Sequence, residues 1–202
     1  KRIRNRIESH VVLPVNYRIE YGGQFVNASR AAIRLLLASI ASLIAVFIIL
    51  YNEFRKSSPA WIIMLNLPLA LTGGFIALKI SSGVISIPAI IGFITLTGIA
   101  TRNGILLVSR YIHLGEEGMP LKERIIKGSA DRLNPILMTA LTAAFALIPL
   151  AVGGDKAGNE IQSPMAVVIL GGLLSSTILN LFVVPAVYLE FEKKSSEKNP
   201  KN

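Results

Sequence analysis

An arginine lies deep inside an apolar, helix-length run. The stretch IGFITLTGIATRNGILLVS, residues 91–109, has the length and composition of a membrane helix, yet it carries Arg102 well inside it. Arg102 precedes Arg110 by eight residues, which places it roughly 12 Å deeper along a helix rising 1.5 Å per residue. At such a depth an arginine costs at least about 2.5 to 3.5 kcal/mol on insertion scales, so an intramembrane cation is a functional candidate by default. Snorkelling to the nearer surface would require the side chain to span most of that distance.

The rest of the chain has the same membrane character. Hydrophobic residues make up 52% of the 202 positions, too many for an ordinary soluble domain. Five apolar segments, 33–50, 60–78, 87–108, 135–152 and 166–189, each have about the twenty residues needed to cross a hydrocarbon core of about 30 Å. The expected fold class is therefore an all-α membrane protein with five transmembrane helices in a bundle. A short α+β remnant of an external domain precedes them: Tyr17 to Tyr21 reads as a strand closed by a Gly22-Gly23 turn. The chain begins at Lys1 without a signal-peptide pattern and reads as part of a longer protein.

Charge sets the orientation. Arg55, Lys56, the 109–134 connection and the tail after residue 190 together hold eleven Lys and Arg, against Lys79 and Lys156 on the other side. The tail and the long connection are expected in the cytoplasm. The basic N-terminal segment runs against this rule, a conflict that a large translocated domain upstream would remove. Within the cytoplasmic connection, PLKERIIKGSADRL reads as a separate short surface helix from near Pro120 to near Gly128.

Several function classes are excluded. The net charge of +9 is spread over short hydrophilic connections without interleaved aromatics, which argues against a nucleic-acid partner. There are no cysteines and only two histidines, His10 and His113, far apart in sequence, so no thiolate or histidine metal site is expected. No nucleophile, base and orienting group converge, no glycine loop for phosphate is present, and neither an enzyme activity nor a cofactor is expected.

The polar and small residues inside the spans supply the candidate site. Thr95, Gly98, Arg102 and Ser109 form one stripe, with Asn103 beside it. Thr139 and Thr142 lie one turn apart on the fourth span, with Arg132 and Asn134 at its cytoplasmic mouth. Gly73, Gly74, Gly98, Gly171, Gly172, Ser175 and Ser176 are expected to let helices approach closely, the last four as two small-xxx-small pairs. All twelve acids fall in loops, termini or span edges. A buried guanidinium without a counter-charge is strongly unfavourable, so the anion facing Arg102 is expected from helices outside this chain.

The runs LNLPLALTGGFIAL, IPAIIGFITLTGIATRNGILLVSRY, RLNPILMTALTAAFALIPLAVGG and VVILGGLLSSTILNLFVVPAVYLEF resemble the last four membrane helices of resistance-nodulation-division efflux pumps. LPVNYRIEYGGQF with the first span resembles the stretch before them. YGGQF, GFITLTGIA and VVILGGLLSSTILNLFVVPAVY bring the likeness closest to the heavy-metal branch. The resemblance implies a proton-driven inner-membrane pump with a missing N-terminal half, assembled as a homotrimer with a periplasmic adaptor and an outer-membrane channel and surrounded by membrane lipid. The proton gradient would be its energy source. Residues 1–32 would end a periplasmic porter domain, 33–190 would form the membrane bundle, and 191–202 a cytoplasmic tail. Motif alignment implies a proton relay in which Arg102, Thr139 and Arg132, with Asn103 alongside, face an intramembrane acid of the missing half. Multidrug members have lysine where this chain has Arg102, and metal-branch members vary there. An exporter of zinc, cobalt, nickel or copper, a multidrug exporter of amphiphilic compounds, and a non-transporting scaffold or decayed half-pump remain open. Met64, Met119, Met138 and Met165 form no close pair in sequence that would single out a soft metal.

Overall fold

The computed structural model describes residues 24–54, 57–154, 156 and 158–198. They form five α-helices: α1 (Gln24–Phe54), α2 (Ser57–Ser81), α3 (Ile87–Glu116), α4 (Leu121–Val152) and α5 (Gln162–Lys198). Each of the five apolar runs falls inside one of these helices, every one long and apolar enough to cross a membrane. There is no strand among the described residues. The strand expected at Tyr17 to Tyr21 lies outside them, as do most of the residues assigned to an external domain and the last four of the tail.

The bundle is built around α2, α3 and α5, which touch one another along their lengths. The helix α1 rests on α2 and α3, and α4 rests on α3 and α5. Small residues set the closest approach. A methyl group at Gly73 would run into Ser175 and the Gly171 carbonyl, and one at Gly171 into Ala77 and the Gly73 carbonyl. A Cβ at Gly172 would strike the Leu96 side chain, and one at Gly74 would lie 2.9 Å from the Phe93 ring. With no hydrophobic drive between helices in lipid, such backbone approach and the polar contacts it permits hold the bundle. Ser175 adds a bond across the same seam, its Oγ donating to the Ala70 carbonyl at 3.0 Å.

The outer helices bury little. Only 6% of the most apolar window of α1, and 6% of that of α4, is buried within the chain. Met138 and Phe145 on α4 and Ile48 and Ile49 on α1 are more than half exposed, as expected of surfaces meeting lipid or further helices.

The separate surface helix expected between Pro120 and Gly128 is not formed. Instead α4 runs without a break from Leu121 through the fourth span. Gly128 does not stop the helix because it serves a packing need: a Cβ there would sit 2.7 Å from the Tyr111 ring, so only glycine admits that ring. Tyr111 is fully buried, its hydroxyl lies 2.6 Å from Ser129 Oγ, and its ring centroid is 5.0 Å from that of Tyr188. Arg110 donates to Asp131 Oδ2 from Nε at 2.9 Å and Nη2 at 2.6 Å, and Arg124 pairs with Glu192 at 3.1 Å. These contacts join the ends of α3 and α5 to the first turns of α4.

Candidate functional site

The site is built on α3, whose start is fixed. Ser86 caps it, accepting the Ala89 N–H at 3.3 Å, and Pro88 follows in the first turn. Arg102 comes sixteen residues after that cap, about 24 Å along the axis and near the middle of the helix.

The two faces of α3 differ. Gly92, Leu96, Ala100, Asn103, Gly104, Leu107 and Tyr111 are buried against the rest of the bundle. Thr95, Gly98, Arg102 and Ser109 form an exposed stripe. Gly98 differs from the other glycines singled out in the sequence: among the described residues a Cβ there would meet nothing within 4 Å, so it opens on space and not on a helix. Gly98 and Arg102 line an apolar groove of about 880 Å³ between α1, α2 and α3, walled by Leu36, Ile40, Leu43, Leu71, Phe75 and Phe93 among others. Among the described residues Arg102 is the one charged residue on that wall. Among the described residues no acid pairs with it.

The other residues singled out for a relay are placed apart. Asn103 is adjacent in sequence but points into the packed face, 3% exposed. Thr139 lies on α4, which contributes nothing to the groove wall, and its hydroxyl donates to its own helix at the Pro135 carbonyl, 2.9 Å. Thr142 does the same toward Met138, at 2.7 Å. Threonine back-bonding of this kind satisfies the hydroxyl locally and leaves its lone pairs open to a partner. Arg132 is half-buried, with its Nε enclosed and unpartnered among the described residues. No hydrogen bond joins Arg102, Asn103, Arg132 and Thr139 to one another among the described residues.

The sequence marks Asn66 only as part of a kink or close crossing of the second span and Ser176 as a packing residue, and does not mark Asn180; the structure joins them in a second polar centre. Asn66 on α2 and Asn180 on α5 are 2% and 0% exposed, and the Asn66 Nδ2 donates to Asn180 Oδ1 at 3.0 Å. It also reaches the Ala100 carbonyl of α3 at 3.4 Å, while Asn180 Nδ2 donates to Ser176 Oγ at 3.2 Å. The Ser176-Asn180 spacing of one turn was the available signal, since two polar residues on one face of a membrane helix need partners.

Comparison with known proteins places these features. A model of the AcrB/AcrD/AcrF family matches residues 1–192. The cobalt-zinc-cadmium resistance protein CzcA of Cupriavidus metallidurans is 38% identical over 191 residues, 95% of this chain and 18% of that protein. The multidrug resistance protein MdtC of Erwinia tasmaniensis is 35% identical over 185 residues, 90% of this chain and 18% of that protein. The crystal structure of a heavy metal efflux pump, form II, superposes with a TM-score of 0.78 at 34% identity, covering 95% of this chain and 19% of that one. The chain thus spans under a fifth of the length of these relatives. With its family match running through 192 of 202 residues and its five-helix bundle superposing on a pump of that kind, the chain belongs to the AcrB/AcrD/AcrF family, the resistance-nodulation-division group that its motifs resemble.

Proposed function

We propose that this chain is the C-terminal membrane half of a proton-driven transporter that exports heavy-metal cations across the cell envelope of a bacterium. The observation that carries the substrate class is the 38% identity to a cobalt-zinc-cadmium resistance protein over 95% of the chain. The heavy-metal pump structure, matched over the same share of the chain, supports it. Metal is cargo in this reading, not a resident cofactor, and the proton gradient is the energy source. Residues 1–32 end the porter domain, 33–190 form the membrane part and 191–202 the cytoplasmic tail, an orientation supported by the eleven cationic residues on that side. The chain sits in the inner membrane and works in a homotrimer, with a periplasmic adaptor and an outer-membrane channel as partners.

The proton step follows from the charge of Arg102. A guanidinium keeps its proton throughout such a cycle. Its role is electrostatic: it holds a carboxylate of the N-terminal half ionised, and protonation of that acid frees Arg102 to re-pair, which shifts the helices. The groove at Arg102, apolar apart from that charge and a few hydroxyls, accepts an apolar helix carrying one acid. Thr139 and Arg132 act from α4, outside the groove wall, Thr139 on whichever partner is released and Arg132 on proton exit, while Asn103, the relay residue next to Arg102 in sequence, is turned into the packed face.

A drug-exporting alternative draws on the 35% identity to MdtC. Growth of cells lacking the intact gene separates the readings, using zinc, cobalt, cadmium, nickel and copper salts beside a panel of amphiphilic drugs. Metal export predicts hypersensitivity to one or more metals with unchanged drug tolerance. Drug hypersensitivity alone supports the multidrug reading, and no change in either supports a scaffold.

A further inference from the structure

We infer that Asn66 is a positioning residue for Arg102: held by Asn180 and Ser176, it latches the turn of α3 that carries the arginine. This rests on the reading of Arg102 as a transport residue.

The latch is a chain of three side chains crossing two helices onto a third. Ser176 Oγ accepts from Asn180 Nδ2 at 3.2 Å, Asn180 Oδ1 accepts from Asn66 Nδ2 at 3.0 Å, and the same Nδ2 reaches the Ala100 carbonyl at 3.4 Å. Asn66, Ser176 and Asn180 are all 2% exposed or less. Inside a membrane bundle no water competes for these groups, so the arrangement that satisfies most of them is favoured.

Ala100 has a helix partner of its own, the N–H four residues on, at Gly104. A carbonyl has two lone pairs and accepts both bonds. Gly104 makes the lateral approach possible: its missing Cβ would lie 3.4 Å from Ile63 Cγ2 and 3.8 Å from Asn66 Nδ2, so α2 rests directly on the α3 backbone there. Ala100 precedes Arg102 by two residues, about 200° around the helix. The latch therefore grips α3 on the side opposite the arginine. If α3 rotates, Arg102 swings out of the groove and the Asn66 bond to Ala100 breaks, so one carboxamide fixes the direction in which the guanidinium points.

Asn66 Oδ1 is buried and has no partner among the described residues. One unsatisfied acceptor is the cost of aiming both Nδ2 hydrogens at α3 and α5. A carboxamide placed only for stability would be replaceable by an apolar isostere without moving Arg102.

The test uses the intact pump in membranes, in a background free of other cysteines. Single reporters are placed at Ser109→Cys, on the same exposed stripe as Arg102 at the far end of the span, and at Ile112→Cys, about 60° away on the same helix. The readout is the ratio of maleimide labelling at the two positions, which does not depend on whether the protein exports anything. Asn66→Leu, which removes both bonds at similar volume, is expected to change this ratio several-fold, and Asn66→Ser, too short to reach Ala100, to change it in the same direction. Ser176→Ala, which removes only the outermost link and leaves the Ala100 bond in place, is expected to change the ratio in the same direction but less than either Asn66 variant. An unchanged ratio in the Asn66 variants that reach the membrane overturns the latch. Failure of Arg102→Ala to affect export would overturn the reading of Arg102 as a transport residue and leave the labelling result standing.

Discussion

Tyr111 shows how single residues are fixed here. It is fully buried, bonded to Ser129 and stacked near Tyr188, and Gly128 leaves room for its ring. Tyr111→Phe is expected to lower stability by about 1 kcal/mol, the usual net worth of one hydrogen bond. Combined with Ser129→Ala the loss should be less than additive, because both changes break the same bond; thermal unfolding in detergent measures it. The Arg110-Asp131 pair has side chains 26% and 37% exposed, and Asp131→Asn is expected to cost under about 1 kcal/mol in the same assay. At this scale the sequence was uneven as a guide. Arg102 was legible because a charge in an apolar run has no cheap explanation. Asn66 was legible only as part of a kink or close crossing with Pro68 and Gly73-Gly74, and its pairing with Asn180 was not, because the partner lies 114 positions away. The exposed stripe of Thr95, Gly98, Arg102 and Ser109 was readable from spacing alone, whereas the burial of Asn103 depends on which side of α3 receives α2 and α5.

The helices themselves were readable wherever hydropathy decides the matter, since span length follows from bilayer thickness. The continuity of α4 was not. In isolation Gly128 and its polar surroundings carry a stop signal, and only the ring of Tyr111, from another helix, explains the glycine inside a continuous helix. The seam between α2 and α5 carries the strongest prediction at this scale. Gly73→Val or Gly171→Val would force the backbones apart, and each is expected to destabilise the bundle by about 1 to 3 kcal/mol or more, seen as lower membrane yield and earlier thermal unfolding. Gly98→Val, facing open space within this chain, should be much milder for the isolated bundle. If it stops transport in the intact protein without loss of yield, the groove beside it is occupied there by another helix.

Across the whole molecule the exposed surfaces and the unpaired charge have a common explanation. The helices α1 and α4 leave broad apolar faces, and between α1, α2 and α3 lies a groove with one cation and no acid among the described residues. The chain matches under a fifth of the length of its relatives. We read Arg102 as half of an ion pair completed by another part of the protein, which accounts for a guanidinium placed at mid-helix at considerable energetic cost. The most direct test is proton-coupled metal export by the intact pump carrying Arg102→Ala or Arg102→Lys, reconstituted in vesicles with an imposed pH gradient. Near-complete loss is expected with alanine and substantial retention with lysine, which keeps the charge. Export unchanged by alanine would contradict it.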